Sequence, residues 1–297
     1  MAKTNSPASL PEPIGVRSLP IDTRGLVRVG ARPGFIDYLV QLWERRDFIG
    51  YDAKAKVQAG SRKDRLGSFW LILNPVLNGL TYFLIFGLLL QTSRGIENFI
   101  GYLVIGVFLY QISARSISNG ARSLQSNQSI IRAFTFPRAA LPIAANAREV
   151  LAAVPVVITM LVVILLLPPT EEITWLWALL LPALGLQFLM NLGLSLILAR
   201  IVSQVNDVAH LLSFGLRLWM YGSAVFFSYD RFIGNDVLLA LVKLNPLFNV
   251  LDIARNCLLY AQLPAWQSWA ILAAWSLTFL AIGIAYFWQG EESYSAE

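Results

Sequence analysis

Residues 143–167 read Ile143-Ala-Ala-Asn-Ala-Arg-Glu-Val-Leu-Ala-Ala-Val-Pro-Val-Val-Ile-Thr-Met-Leu-Val-Val-Ile-Leu-Leu-Leu167. After Arg148 and Glu149 no charge interrupts the run before Leu167. About 20 apolar residues in a helix cover the ~30 Å of bilayer hydrocarbon, so this stretch places the chain in a membrane. On either side, segments 68–90, 99–117, 174–199, 208–229 and 266–288 reach spanning length. The expected fold is an all-α integral membrane protein with six transmembrane helices. Composition agrees, because only 14% of the 297 residues are charged where soluble domains carry about 25%.

Six crossings leave both termini on one side. The N-terminal segment before the first span, with Arg115 at the end of span two and the loop that follows it, carries 16 Lys and Arg, against 4 in the loops of the opposite face. The positive-inside bias makes both termini cytoplasmic, and the expected location is the plasma (inner) membrane. The tail after the last span, with Glu291, Glu292 and Glu297 and no base, runs the other way, but acids carry little topogenic weight. The basic residues flank apolar segments, which points to lipid and not to nucleic acid. One Cys (Cys257) and one His (His210) exclude a disulfide within the chain and leave no set of zinc ligands.

Outside the spans, residues 1–33 form a Pro-rich flexible cytoplasmic tail, and 34–67 an interface helix with its connector. In that helix Ile36, Leu39, Val40 and Trp43 recur at i, i+3, i+4, i+7. The helix is amphipathic and too charged to span, so it lies on the membrane surface or packs against a soluble partner. Within the 68–290 transmembrane domain, the outer loop 230–265 is apolar from Leu238 to Tyr260 yet holds Lys243, Asn245, Asp252 and Arg255, a costly set to carry through lipid. Asn245-Pro246 suits an N-cap followed by a first helical residue. Two short re-entrant helices joined there are expected; a seventh span would put the C-terminus outside.

Intramembrane polar residues mark candidate sites. On the fifth span His210, Ser213, Arg217, Tyr221 and Ser228 fall on one side of a helix, and the first span shows Trp70, Asn74, Asn78 and Tyr82. Aromatic faces stack on sugar rings and Asn, Ser and Tyr bond hydroxyls, so these faces suit a substrate conduit; helix-to-helix hydrogen bonding is the plainer alternative. That alternative is preferred for Gln187, Asn191 and Ser195, and an ion pair at a helix end for Arg148–Glu149. There is no phosphate loop, H-E-x-x-H or G-x-S-x-G motif. A pump with this sequence takes its energy from another polypeptide or an ion gradient.

Three stretches together carry a family resemblance. Gly67-Ser-Phe-Trp-Leu-Ile-Leu-Asn-Pro75, Asn127-Gln-Ser-Ile-Ile-Arg132 with Phe136-Pro-Arg-Ala-Ala-Leu-Pro142, and Asn245-Pro-Leu247 followed by Arg255 resemble, in this order, segments of ABC polysaccharide-export permeases. The run Ala55-Lys-Val-Gln-Ala-Gly60 departs from the basic-aromatic sequence usual there. The resemblance implies a homodimer working with two nucleotide-binding ATPase subunits, and a polyprenyl-pyrophosphate-linked glycan as cargo: teichoic acid, O-antigen-like polysaccharide or cell-wall galactan. No cofactor is bound by this chain; ATP and Mg are used by the partner. The loop 119–138 holds the coupling helix, with Asn127, Ile131, Arg132, Phe134, Phe136 and Arg138 against the ATPase. Asn245, Pro246 and Arg255 form an outer re-entrant gate. Rival readings are a drug or lipid exporter on the same fold, a membrane-embedded glycosyl- or acyltransferase using Asp207 and His210, and a secondary transporter, which would show an internal repeat of spans.

Overall fold

The computed structural model describes residues 33–62, 69–89, 96, 98–134, 136–168, 171–227, 236–292 and 294. Among them the chain is helical: α1 (Phe35–Glu44), α2 (Arg46–Arg62), α3 (Phe69–Tyr82) running into a π-helical stretch (Phe83–Leu89), α4 (Phe99–Ala121), α5 (Ser123–Ser126), α6 (Gln128–Ala133), α7 (Ala140–Leu166), α8 (Leu180–Gln204) after a 3₁₀ turn, α9 (Val208–Tyr221), α10 (Asp236–Leu244), α11 (Pro246–Leu258) and α12 (Trp266–Gln289). The 1–32 tail, Gly67, Ser68 and Ser228 lie outside the described residues.

Among the described residues four helices, α4, α7, α8 (with its 3₁₀ turn) and α12, are long and apolar enough to cross a bilayer, and α10 with α11 makes a pair bent by 82°. α4 forms the hub: 78% of its most apolar eighteen-residue window is buried, against 22% for α12. Its neighbours fit closely because polar atoms are spent inside the bundle. Gln187 Nε2 donates to Leu109 O and Ser113 Oγ, both at 2.8 Å, and Ser195 Oγ donates to Ser116 O at 3.2 Å. Hydrogen bonds between helices thus account for two of the three aligned polar residues of α8. Against α12, Gly193 and Gly283 let backbones touch: a Cβ on Gly283 would stand 2.5 Å from Gly193 O, and one on Gly193 would strike the backbone of Phe279. Small residues at such contacts allow the dispersion packing that holds helices together in lipid.

The fifth expected span, 208–229, is shorter in the structure. α9 stops at Tyr221, and Ala224 takes a positive φ of 52°. Fourteen residues rise about 21 Å, less than the hydrocarbon thickness. The cause lies in the outer hairpin. Asn245 caps α11, its Oδ1 accepting from Leu247 N (3.0 Å) and from Trp219 Nε1 (2.9 Å), while its Nδ2 donates to Gly222 O and Ser223 Oγ. Arg255, 3% exposed, donates to the carbonyls of Ala224, Val225 and Tyr102 and lies 3.3 Å from the centre of the Tyr102 ring. These two side chains donate to the Gly222, Ala224 and Val225 carbonyls left open after the C-terminus of α9, and Asn245 also takes the Leu247 N–H at the start of α11.

At the opposite end of the bundle the chain closes on itself. Tyr38 Oη donates to Glu291 Oε2 (2.8 Å), Arg138 N donates to Glu291 Oε1 (2.8 Å), and the Arg138 guanidinium is 3.4 Å from the same oxygen. α1, the turn before α7 and the residues after α12 therefore meet at one end. The acidic tail that ran against the charge bias places one of its carboxylates on a base.

Candidate functional site

α3 and α9 flank α4 and present most of their side chains outward. On α9 only Ala209 and Met220 are buried; Ser213, Phe214, Arg217 and Tyr221 are exposed. Where α9 leans on α4 a cleft of about 530 Å³ opens, lined by Tyr82, Tyr110, Ala114, Arg115, Ser118, Asn119, Ser213, Leu216, Arg217, Met220 and Tyr221. Its rim is fixed by Tyr110 Oη, which donates to Leu216 O (3.0 Å), and by Arg122 Nη2, which donates to Ala209 O (3.2 Å). Tyr82 and Tyr221 each pack a ring on Phe226, at 4.7 and 5.6 Å.

Of the expected conduit residues, Tyr82, Ser213, Arg217 and Tyr221 come together in this cleft. Trp70, Asn74 and Asn78 sit farther along α3, exposed and away from the lining. His210 lines a separate cleft of about 320 Å³ with Arg122, Gln125, Gln128 and Asn206. His210 and Asp207 share a backbone hydrogen bond, His210 N to Asp207 O at 3.0 Å, and both side chains are exposed; this geometry lacks the shielded, oriented base that acid–base chemistry uses. Sequence reading missed Tyr110, Arg115, Ser118 and Asn119, which sit on or just beyond the second expected span. The signal was present: Arg115, Ser118 and Asn119 follow one another at helical spacing on the side of α4 that faces α9.

The segment between α4 and α7 folds as two short helices, α5 and α6, on the end of the bundle that holds α1. A cleft of about 520 Å³ borders it, lined among others by Leu124, Gln128, Ile131, Arg132, Phe134, Arg138, Asn206 and Tyr294. Phe134 is 67% exposed. Phe136 is half-buried, 5.9 Å from the Phe48 ring, and Asn127 is drawn inward, accepting from Lys56 Nζ at 3.1 Å and donating to Ser123 O at 2.7 Å. The six residues expected to contact a partner thus divide: Phe134 and Arg132 face outward, Ile131 lines the cleft, and Asn127, Phe136 and Arg138 hold the segment's own shape. Burial pushes the Glu291 carboxyl above its usual range, against the opposing pull of the Arg138 and Tyr38 hydrogen bonds. The outer trio divides too. Pro246 opens α11, half-buried Asn245 caps it, and Arg255 is buried against the carbonyls that follow α9.

Among known proteins, the chain is 28% and 30% identical, over 172 and 167 residues, to two proteins named O-antigen export system permease protein RfbA from Klebsiella pneumoniae. These matches cover 57% and 55% of this chain and 64% and 62% of the relatives, so the chain spans just under two thirds of their length. A Myxococcus xanthus protein of the same name is 23% identical over 258 residues, covering 86% of this chain and 96% of that one. Residues 53–259 match the family model described as ABC-2 type transporter. That region holds the α4 hub, the α4–α9 cleft and the bent outer pair, and the chain belongs to the ABC-2 type transporter family.

Proposed function

We propose that this chain is the membrane-spanning permease of an ATP-driven exporter that carries a lipid-linked polysaccharide across the plasma membrane. The α4–α9 cleft carries the reading. It puts three tyrosines, two guanidiniums and several hydroxyl and amide groups on a wall that the monomer leaves open. Such a wall stacks on sugar rings and exchanges hydrogen bonds with hydroxyls without binding one sugar tightly enough to stall it. The names of the relatives point the same way.

In this reading a second copy covers the exposed faces of α3 and α9, and the glycan passes between the copies. The six crossings are α3 with its π-helical extension, α4, α7, α8, α9 carried on by the turn that follows it, and α12, while α10 and α11 enter the outer leaflet and turn back. Both termini are cytoplasmic, supported by the basic bias and by the contact of Glu291 with α1. Two separate ATPase subunits, using ATP and Mg, dock against α5–α6 with Phe134 as the apolar anchor. The exposed Ile36, Val40 and Trp43 of α1 rest in lipid. This chain binds no cofactor and catalyses no chemistry of its own.

Affinity purification from the native host in mild detergent, with mass spectrometry of what is retained, tests the proposal. A stoichiometric partner bearing a phosphate-loop motif is expected, and Phe134→Ala lowers its retention at least several-fold. Repeated recovery of the chain alone would overturn the reading.

A further inference from the structure

α7 begins without a cap of its own. Ala139 stands at the N-cap position and has no side-chain oxygen to accept from the open N–H groups there. Both ends of the chain supply what is missing. Arg138 N donates to Glu291 Oε1 at 2.8 Å, from the residues after α12, and Ala139 N donates to Tyr38 Oη at 3.2 Å, from α1. Tyr38 in turn donates to Glu291 Oε2 at 2.8 Å, so the two side chains hold each other as well as the backbone. Tyr38 is 1% and Glu291 4% exposed. A carboxylate placed there also meets the positive end of the α7 dipole.

The residues after α12 are folded back to reach this point. Gly290 makes the turn: a Cβ on it would stand 2.5 Å from Tyr294 Oη. The Tyr294 ring lies 4.8 Å from that of Phe287, and its hydroxyl donates to Phe287 O at 3.2 Å. Trp288 Nε1 donates to Pro33 O at 3.0 Å, and its ring meets Phe35 edge-on at 5.3 Å. One apolar cluster then joins Tyr38 and Leu42 of α1, Leu124 of α5, Ile131 of α6 and Tyr294. Tyr294 is also a wall of the cleft beside α6, together with Arg132 and Phe134. α6 itself buries no residue, so its placement comes from what anchors its two ends. One anchor is the bond from Lys56 to Asn127; the other is the turn at Arg138 and Ala139.

We infer that Tyr38 and Glu291 are positioning residues for the ATPase: by capping α7 from both ends of the chain they fix how α5–α6 presents Phe134 and the cleft beside it. The inference rests on the export reading for the identity of the partner. It adds that α1 and the residues after α12 decide whether the docking surface is formed. Both side chains are buried, so they act through the backbone of the turn and not by touching the partner.

Two measurements on the full chain, purified from the native host in mild detergent, test this: retention of the ATPase, and hydrogen–deuterium exchange across residues 123–141. Glu291→Ala is expected to speed exchange there and to lower retention about fivefold, the weight of roughly one buried hydrogen bond. Tyr38→Phe removes one hydroxyl and keeps the ring in its cluster; it should act in the same direction, and it decides the matter if Glu291→Ala does not fold. Glu291→Gln keeps an oxygen for Arg138 N and should retain the ATPase as wild type does. Gln187→Ala loses bonds between α4 and α8, away from this end, and should lower the melting temperature with retention unchanged. Unchanged exchange in Glu291→Ala and Tyr38→Phe would overturn the inference, and so would faster exchange with full retention. An equal fall in retention in Gln187→Ala would reduce the clasp to general stability and overturn it too. Each of these results leaves the export reading standing while wild type keeps its ATPase. Wild type recovered alone would overturn that reading and the docking role with it.

Discussion

Arg255 and Arg217 lie on neighbouring elements of one membrane protein and are treated in opposite ways. Arg255 is enclosed by α4, α11 and the end of α9, with three carbonyls on its donors and a tyrosine ring beneath it. Arg217 stands exposed on α9 beside a cleft. The same contrast separates whole regions. Where α4, α8 and α12 meet, glycines bring backbones together, and Gln187, Ser195 and Ser276 donate hydrogen bonds to neighbouring helices. Along α3 and α9 the polar and aromatic groups look outward. Polar groups inside a membrane are costly unless they find a partner or water, and the exposed groups of α3 and α9 face whatever lies outside this chain.

The largest test of this contrast is Arg255→Ala against Arg217→Ala. Removing Arg255 takes its donors from the buried Ala224, Val225 and Tyr102 carbonyls, of which Ala224 keeps the Tyr102 hydroxyl, and the loss is expected to be about 3–5 kcal/mol; Arg217→Ala is expected to stay within about 0.5 kcal/mol. Denaturation in detergent, read by near-ultraviolet circular dichroism, ranks them, and equal losses would dissolve the distinction between the two regions. Next comes Gly193→Leu, which drives a side chain into the α12 backbone at Phe279 and should cost about 1–3 kcal/mol or more. Leucine on Gly215, where a Cβ meets nothing within 4 Å, is its control, and a control that melts lower than Gly193→Leu would break the packing argument.

A smaller effect belongs to Asn245→Ala. Loss of an N-cap costs about 1 kcal/mol, and the freed Trp219 indole should shift its fluorescence, a change absent if the bond to Asn245 does not form in the membrane. Smallest is the pH dependence at Glu291. Its carboxyl is raised by burial, so the folded protein holds the proton more readily than the unfolded chain. Its contribution to stability is therefore fully present below the ordinary glutamate value of 4.5 and is lost as pH rises through the higher folded value. Glu291→Gln should flatten that part of the melting profile; an unchanged slope would show that Glu291 does not titrate there.

Much of the architecture could be read locally. The Asn245-Pro246 cap and the bend beside it follow from two residues. The apolar stripe of α1 follows from four, and Ile36, Val40 and Trp43 are uncovered as an interface helix requires. Arg148 and Glu149 pair as adjacent residues at a helix end do. The cleft was only half legible: helical periodicity put Arg217, Ser213 and Tyr221 on one face, but which helix faces them is a tertiary fact. Tyr110 and Arg115 came to the cleft because α9 leans on α4. Trp70, Asn74 and Asn78 share the face of Tyr82 by spacing and still miss the lining.

The sequence by itself determined that the chain lives in a membrane, which segments are helical and apolar, and which residues are too polar to face lipid. These depend on composition and on repeats of three and four residues, short-range properties of any helix. Only the tertiary structure decided the use of each polar group: Arg255 as a bolt across the outer hairpin, Glu291 as a clasp on a turn 153 residues away, and Arg115 as part of the lining of a cleft. A side chain's partners are set by how helices pack over long separations, and identical residues become structural or available according to whether that packing reaches them.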